Sequence, residues 1–290
     1  MIKCMLVGSS GIIGSHIKKI PNIKFIFVNR CDVDLSDLQK TKKLISKLPK
    51  VDILIFLVGL AHSKGGKNDF NEYKRNNYNT LQNLLSALRE NESLPKKIIF
   101  SSSISVYGER KDVDTYHELI KEIPKSPYAI TKKMAENYLL DNFKINSWIL
   151  RFAPVYSSGF RLNIIRRTKI INLFYRVGNP GVKLSLCNVN NINLTIEGIV
   201  NNNVPPGVYN ISDENEYTYT DLLKWQNPSF IIPIPKLLII ISLKVGIWAN
   251  NNFLFENSIK LLTDNLYPSN KIRNFIDLPL NLYDIKFFDV

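Results

Sequence analysis

The run Met5-Leu6-Val7 followed by Gly8-Ser-Ser-Gly11-Ile-Ile-Gly14 constrains this chain more than any other stretch. An apolar run without polar alternation suits a strand buried on both faces of a parallel sheet. Glycines directly behind it permit a tight turn, a close approach of backbone to a pyrophosphate and close packing of the next element. A helix is expected over 11–20, with its N-terminus toward the phosphates. The spacing GxxGxxG differs from GxGxxG, and its place between a first strand and a first helix makes Gly8, Gly11, Ile12, Ile13 and Gly14 the expected dinucleotide loop.

The same alternation continues. Apolar runs at 3–7, 24–29, 52–58, 96–101 and 147–152 are separated by amphipathic stretches at 11–20, 38–48, 73–89 and 127–142. In the third of these, Tyr78, Leu81, Leu84, Leu85 and Leu88 recur every three or four positions, which is one helix face against a sheet. This is a doubly wound α/β pattern with a parallel sheet. Beyond Arg151 it loosens: 159–183 reads as a helical excursion, and 184–189 and 207–211 as returning strands. The expected division is a first lobe of 1–155 plus 184–212, and a smaller C-terminal lobe of 156–183 and 213–290.

At 290 residues, 45% hydrophobic and 22% charged, the composition is globular and excludes a disordered or fibrous chain. Three scattered cysteines, Cys4, Cys31 and Cys187, form neither a disulfide framework nor a zinc spacing, which fits a reducing, cytoplasmic setting. The glycine turn arrives after seven residues, so no signal peptide is expected. The most apolar window, 230–249, contains Pro233, Pro235, Lys236 and Lys244, so it is not expected to span a membrane. A packed helix after Pro235 is the expectation there, contact with a membrane surface the other reading. The net charge of +13 is spread along the chain without a nucleic-acid-binding signature, and no nucleic-acid partner is expected. His16, His62 and His117 lack metal-ligand spacing, so no metal is expected.

Chemistry enters at Ser126-Pro-Tyr128-Ala-Ile-Thr-Lys132. Four residues apart on a helix, Tyr128 and Lys132 share a face, so the lysine charge is expected to lower the tyrosine pKa for proton exchange near neutral pH. By itself the spacing is common. Phe100-Ser101-Ser102-Ser103-Ile104-Ser105-Val106-Tyr107-Gly108 adds an apolar strand emptying into hydroxyls, at the carboxyl end where parallel sheets gather ligands. After the second strand, Arg30 stands where an NAD site offers a carboxylate, and a guanidinium there favours the 2′-phosphate of NADP. Asp32 and Asp34 lie close enough to receive an NAD ribose instead.

In their order and spacing, GSSGIIG, FSSSISVYG and SPYAITKKMAE resemble the extended short-chain dehydrogenase/reductase family, the NAD-dependent epimerases and dehydratases of nucleotide sugars. The resemblance implies a Rossmann-type doubly wound sheet with a smaller C-terminal substrate-binding lobe, and a homodimer. It also implies roles. Ser103 orients the substrate oxygen, Tyr128 is the acid/base, and Lys132 binds the nicotinamide ribose. Asp34 and Leu35 fall in the adenine-contacting segment, Leu57, Val58 and Gly59 in the loop beside the dinucleotide, and Asn76 at the head of an Asn-x-x-Gly-Thr motif. Ser101 and Val155 lie in segments near the cofactor. Asn79 replaces the motif's glycine, Ser157 the glycine after Tyr156, and Asn190 a frequent aspartate.

Dehydratases of the family carry an Asp-Glu pair after the catalytic hydroxyl, where this chain has Ile104-Ser105. Dehydration is therefore disfavoured. The stretch 159–180 with 186–192 resembles the subgroup that reduces UDP-linked 4-keto-6-deoxy sugars for surface polysaccharides, and implies that Arg161 and Asn163, with Arg166 and Arg167, contribute cations or donors to a nucleotide diphosphate, a solvated helix face being the other reading of the four. Reduction of such a sugar by NADPH, with pro-S hydride transfer, is the leading expectation. C4 epimerisation with tightly held NAD is the rival, with His62 available as a second acid/base. A regulatory subunit that binds cofactor without turnover is the non-enzyme alternative, and the presence of Ser103, Tyr128 and Lys132 together argues against it.

Overall fold

The computed structural model describes residues 1–17, 20–60, 69–110, 112–170, 173–177 and 181–285. The chain opens with β1 (Ile2–Val7), β2 (Ile23–Val28), α1 (Leu38–Ile45), β3 (Ile53–Phe56), α2 (Phe70–Lys74), α3 (Thr80–Glu90), β4 (Lys97–Ser103), α4 (Pro127–Phe143) and β5 (Ser147–Phe152). It continues through β6 (Val155–Tyr156), α5 (Leu162–Thr168), β7 (Lys169–Ile170), β8 (Leu173–Val177), β9 (Lys183–Leu184), β10 (Cys187–Asn188), α6 (Val189–Val200) and β11 (Gly207–Ile211). It ends with β12 (Tyr217–Thr218), α7 (Tyr219–Gln226), β13 (Ile232–Ile234), α8 (Lys236–Trp248), α9 (Asn252–Lys260) and α10 (Asn270–Arg273).

Six strands form one sheet in the order β11-β5-β4-β3-β1-β2. The pairs of β1 with β2 and β3, and of β3 with β4, are parallel, Cys4 lying opposite Phe25 on one side and Ile53 on the other. Order reverses at β1, and open α/β sheets bind ligands outside the carboxyl ends at that reversal. The chain divides into two compact units: 1–106, 124–151 and 195–209, and 107–123, 152–194 and 210–290.

In the first unit, Leu81, Leu84, Leu85 and Leu88 are buried on one face of α3 and join Met5, Val7, Leu54, Phe56, Ile98, Phe100 and Leu139 in a continuous core. Caps define where its helices begin. Asp37 accepts from the Lys40 amide ahead of α1, and Ser126 from the Ala129 amide ahead of α4, where Pro127 takes the first helical position. The second unit has its own core of Tyr156, Ile164, Val182, Leu184, Leu186, Tyr217, Tyr219, Leu222 and Leu282. Among the described residues no helix is long and apolar enough to cross a membrane, and Cys4, Cys31 and Cys187 are all free thiols.

Three sequence expectations are corrected. The helix expected over 11–20 is a single 3-10 turn at Gly14–His16, after which Ile17 is extended. The Ser15 hydroxyl and His16 Nδ1 capture the Ile12 carbonyl at 3.1 and 2.7 Å, and Pro21 leaves too few residues for a helix to repay its nucleation. Among the described residues of the helical excursion expected over 159–183, only α5 is helical. Leu173-Phe-Tyr-Arg-Val forms β8, which lies between β7 and β13 in a three-stranded sheet, because aromatic and β-branched residues favour a pleat. Finally, 184–189 is not one strand: Leu184 pairs in β9 with β12, Cys187 in β10 with β6, and Val189 already starts α6.

Asp213 organises part of the second unit. Almost fully buried, it accepts from the Tyr156 and Tyr217 hydroxyls at 2.6 and 2.9 Å, the Asn188 amide at 2.7 Å and the Asn191 side chain at 3.1 Å. Burial raises its carboxyl to about 6 against these hydrogen bonds, which lower it. The folded chain thus holds the Asp213 proton more tightly than the unfolded chain does. That contribution, up to about 3 kcal/mol, is complete below about pH 4 and is lost as pH rises through about 6. The stability advantage of the wild type over Asp213→Asn is expected to shrink over this window in urea titrations. An advantage that is constant with pH would refute the assignment.

Candidate active site

The turn after β1 is built by backbone. Gly8 has φ +90°, and a Cβ on Gly14 would run into the Gly8 carbonyl and lie 2.7 Å from the Ser9 Cα, so Gly14 admits no side chain unless the turn moves. Asn29, one residue past β2, pins the turn by accepting from Ser9 Oγ at 2.9 Å and the Ser10 amide at 3.1 Å. Gly8 packs against the main chain of Leu57 and Val58, which extends from β3, so the two loops meet at the reversal of strand order. A turn closed this tightly on its own main chain, with no side chain admitted at Gly14, would suit a dinucleotide phosphate, with Gly8, Gly11, Ile12, Ile13 and Gly14 as the residues that would hold it. The helix dipole invoked from the sequence adds little, since the helix is one turn. Gly14→Ala is expected to cost about 1–3 kcal/mol by overpacking and to shrink the thermal shift that NADPH produces. A full NADPH-induced shift in that variant would count against this assignment.

The candidate reactive groups also belong to the first unit. Ser126 and Pro127 start α4 so that Tyr128 stands in its first turn and Lys132 one turn further. The half-buried Tyr128 ring packs edge-on against Tyr73, with centroids 6.4 Å apart. Its hydroxyl shares a hydrogen bond with the Ser103 side chain, at the carboxyl end of β4. Behind Ser103 stands Ser105, whose hydroxyl donates to Ser103 Oγ at 3.0 Å and whose amide donates at 3.2 Å. With both donors directed at its oxygen, Ser103 keeps its own proton to give.

Lys132 is buried, and its ammonium donates to the Ser101 carbonyl at 2.8 Å and the Val58 carbonyl at 3.4 Å, above the Phe100 ring. Desolvation lowers its pKa to about 8, and the nearby Glu136 charge opposes that fall. Tyr128 departs from expectation. Its pKa is raised, chiefly by burial and then by Tyr73, and it is the Ser103 hydrogen bond that opposes the rise. In this conformation the lysine charge is spent on main-chain carbonyls. The tyrosine is therefore held as a protonated phenol.

Beneath this pair lies a buried cluster the sequence did not disclose. Glu136, one turn beyond Lys132 on α4, is fully buried and receives the Ser102 hydroxyl at 2.6 Å. Arg151 of β5, itself buried, donates to both oxygens of Glu136 through Nε and Nη2, at 2.9 and 2.7 Å. Lys133 adds a weaker contact at 3.4 Å. Asn77 was also missed. It lies in a π turn, Arg75–Asn79, that links α2 to α3, accepts from the Leu60 amide at 2.6 Å and donates to Thr131 Oγ1 on α4. Asn76 instead bonds back to the Glu72 carbonyl within its own helix.

Arg30 is exposed directly after the pinning Asn29. Asp34 is occupied by the Ser36 amide and hydroxyl, which hold its carboxyl below the ordinary value, and Asp32 by the Asn29 amide. Leu35 is buried, and its carbonyl accepts from Asn83. In the second unit, Asn163 donates its side-chain amide to the Val155 carbonyl at 2.8 Å, and Arg161 gives Nε to the Ser158 carbonyl at 3.0 Å. His62 lies outside the described residues. Among the described residues no His, Cys, Asp and Glu cluster could hold a metal ion.

The protein named Uncharacterized UDP-glucose epimerase YtcB of Bacillus subtilis (strain 168) is 28% identical over 185 residues, which cover 53% of this chain and 57% of that protein. The match thus spans little more than half of the relative. The fold is similar to that of the UDP-Glc/GlcNAc 4-epimerase from Campylobacter jejuni, with a TM-score of 0.74 at 17% identity over 97% of this chain and 94% of that one. It is also similar to UDP-glucuronic acid 4-epimerase from Bacillus cereus in complex with NAD (0.67, 19%, 98% and 95%). A third likeness is dTDP-4-dehydrorhamnose reductase from Bacillus anthracis in complex with NADP (0.64, 15%, 81% and 84%). The profile described as NAD dependent epimerase/dehydratase family matches residues 4–188. That stretch is well over half of the chain and carries Ser103, Tyr128 and Lys132, and on this match the chain belongs to the NAD dependent epimerase/dehydratase family.

Proposed function

We propose that this enzyme reduces the keto group of a UDP-linked 4-keto-6-deoxy hexose with NADPH, in the making of surface-polysaccharide precursors. The observation that carries the reductive reading is Arg30, exposed past the end of β2, while the carboxylates of Asp32 and Asp34 are engaged within their own loop. A guanidinium there favours a 2′-phosphate, and NADPH is the currency of reduction. The raised pKa of Tyr128 accords with the same direction. Ketone reduction needs an acid at the developing alkoxide, and burial holds Tyr128 as a phenol. An epimerase begins with the opposite demand, a base that takes the hydroxyl proton.

When bound, the reduced nicotinamide supplies the hydride. This chain's residues do the rest: Ser103, oriented by Ser105, donates a hydrogen bond where negative charge appears on the substrate oxygen, and Tyr128 delivers the proton. Lys132, charged below about pH 8, keeps a cation close to the proton donor. Ile104 and Ser105 supply no acid/base pair for eliminating water, which sets dehydration aside.

C4 epimerisation is the second reading, favoured by the name of the Bacillus subtilis relative. A panel of UDP-, dTDP- and GDP-linked 4-keto sugars with NADPH and NADH separates the two. Net NADPH oxidation, with the preference over NADH falling about 10- to 100-fold in Arg30→Ala, is expected. Copurified NAD, with interconversion of epimers and no net cofactor consumption, would replace reduction by epimerisation.

A further inference from the structure

The 13-residue helix α8 carries an apolar stripe that, among the described residues, nothing in its own unit covers. Leu237, Leu238, Ile241, Val245 and Trp248 are all exposed, Trp248 at 87% and Leu237 at 65%. At about 100° per residue these positions fall within an arc of about 100°, one continuous face. The helix is not loose. On its other side Gly246 is buried so closely against α9 that a Cβ would lie 2.7 Å from the Phe255 amide nitrogen, and Ser258 Oγ donates to Ser242 Oγ at 2.9 Å. The stripe is therefore held out by a packed scaffold. Exposed Phe230 lies shortly before β13, which leads through Pro235 into the helix.

Charge indicates what covers it. From 222 to 255 the sequence has no Asp or Glu, and it has Lys224, Lys236 and Lys244 in a chain of net charge +13. Lys244 borders the stripe and Lys236 opens the helix, both exposed. A second copy docking symmetrically on this face would set lysine against lysine with no carboxylate of the segment to pair them. A surface that is apolar inside and anionic outside matches both features. At about 1.5 Å per residue the helix is about 20 Å long, too short for a bilayer core of about 30 Å, so it suits lying in the plane of the interface.

We propose that the α8 stripe docks this enzyme in plane on an anionic phospholipid surface. Leu237, Ile241 and Trp248 enter the boundary of headgroups and acyl chains, and Lys236 and Lys244 meet the phosphates. The proposal makes no use of the catalytic groups and stands whichever sugar is the substrate.

The test is flotation of the full chain with vesicles of phosphatidylcholine alone and of phosphatidylcholine mixed with phosphatidylglycerol, at low and high salt. Binding is expected on the mixed vesicles, weakened by salt, with brominated acyl chains quenching the Trp248 emission that is absent in Trp248→Phe. Lys236→Glu with Lys244→Glu is expected to lose at least about tenfold in vesicle affinity, and Ile241→Asp to float no longer. Each substitution is at an exposed position, and an unchanged NADPH-induced thermal shift verifies the fold. Absence of binding to mixed vesicles, or equal binding by Ile241→Asp, overturns the proposal. So does an oligomer that Ile241→Asp dissociates while the wild type binds no vesicles, which would assign the face to a second copy.

Discussion

Tyr128→Phe is expected to lower kcat by about 10²- to 10⁴-fold while leaving NADPH affinity where it was. Phenylalanine keeps the ring and its edge-on contact with Tyr73, and removes only the hydroxyl that shares a hydrogen bond with Ser103. Stopped-flow reduction of a 4-keto sugar reads the rate, and quenching of protein fluorescence by NADPH reads the affinity. A variant that turned over at the normal rate would place the proton donor elsewhere. Ser105→Ala is expected to show a smaller loss, because it touches the reaction only by orienting Ser103. The pH profile separates the lysine from the tyrosine. Lys132 is charged below about pH 8 and neutral above it, so reduction is expected to decline as pH rises through about 8, a limb that Lys132→Met would remove along with most of the activity.

The sequence made the sheet legible because its strands are short, largely apolar runs, and β5 lies where the Ser147–Phe152 run ends on both sides. The Tyr128–Lys132 pair was legible as spacing on a helix that Ser126 and Pro127 announce. What it conceals is direction. Spacing predicts that Lys132 faces Tyr128, yet the ammonium finds two main-chain carbonyls, and those acceptors come from Val58 and Ser101, far away in sequence. Asn77 escaped for a similar reason. A regular helix would present Asn76 and Asn77 about 100° apart with nothing to choose between them, and the π turn at Arg75–Asn79 turns Asn77 inward. The missing first helix follows from Pro21, which limits the length of the crossover and which an expectation built on the glycine pattern does not take into account. Arg151 and Glu136 read as ordinary polar residues of a strand and a helix. Their pairing is a fact of the tertiary packing between β5 and α4.

That pairing supports the second large effect. Glu136→Gln is expected to destabilise the enzyme by about 3–5 kcal/mol in urea unfolding, since it leaves the Arg151 guanidinium buried beside a neutral amide. Arg151→Met strands the carboxylate and is expected to cost a similar amount. The double variant Glu136→Met with Arg151→Met removes both charges and fills similar volume, so it is expected to recover much of the loss, a strongly non-additive cycle. Stability alone would make the pair structural. Glu136 also stands one turn from Lys132, and its charge opposes the fall in the lysine pKa that burial imposes. In the stable double variant that support is gone, so Lys132 gives up its proton at lower pH and the alkaline limb of the reduction rate moves down from about 8. If the double variant regained stability and kept the alkaline limb in place, the Glu136–Arg151 pair would hold β5 to α4 and do nothing for Lys132.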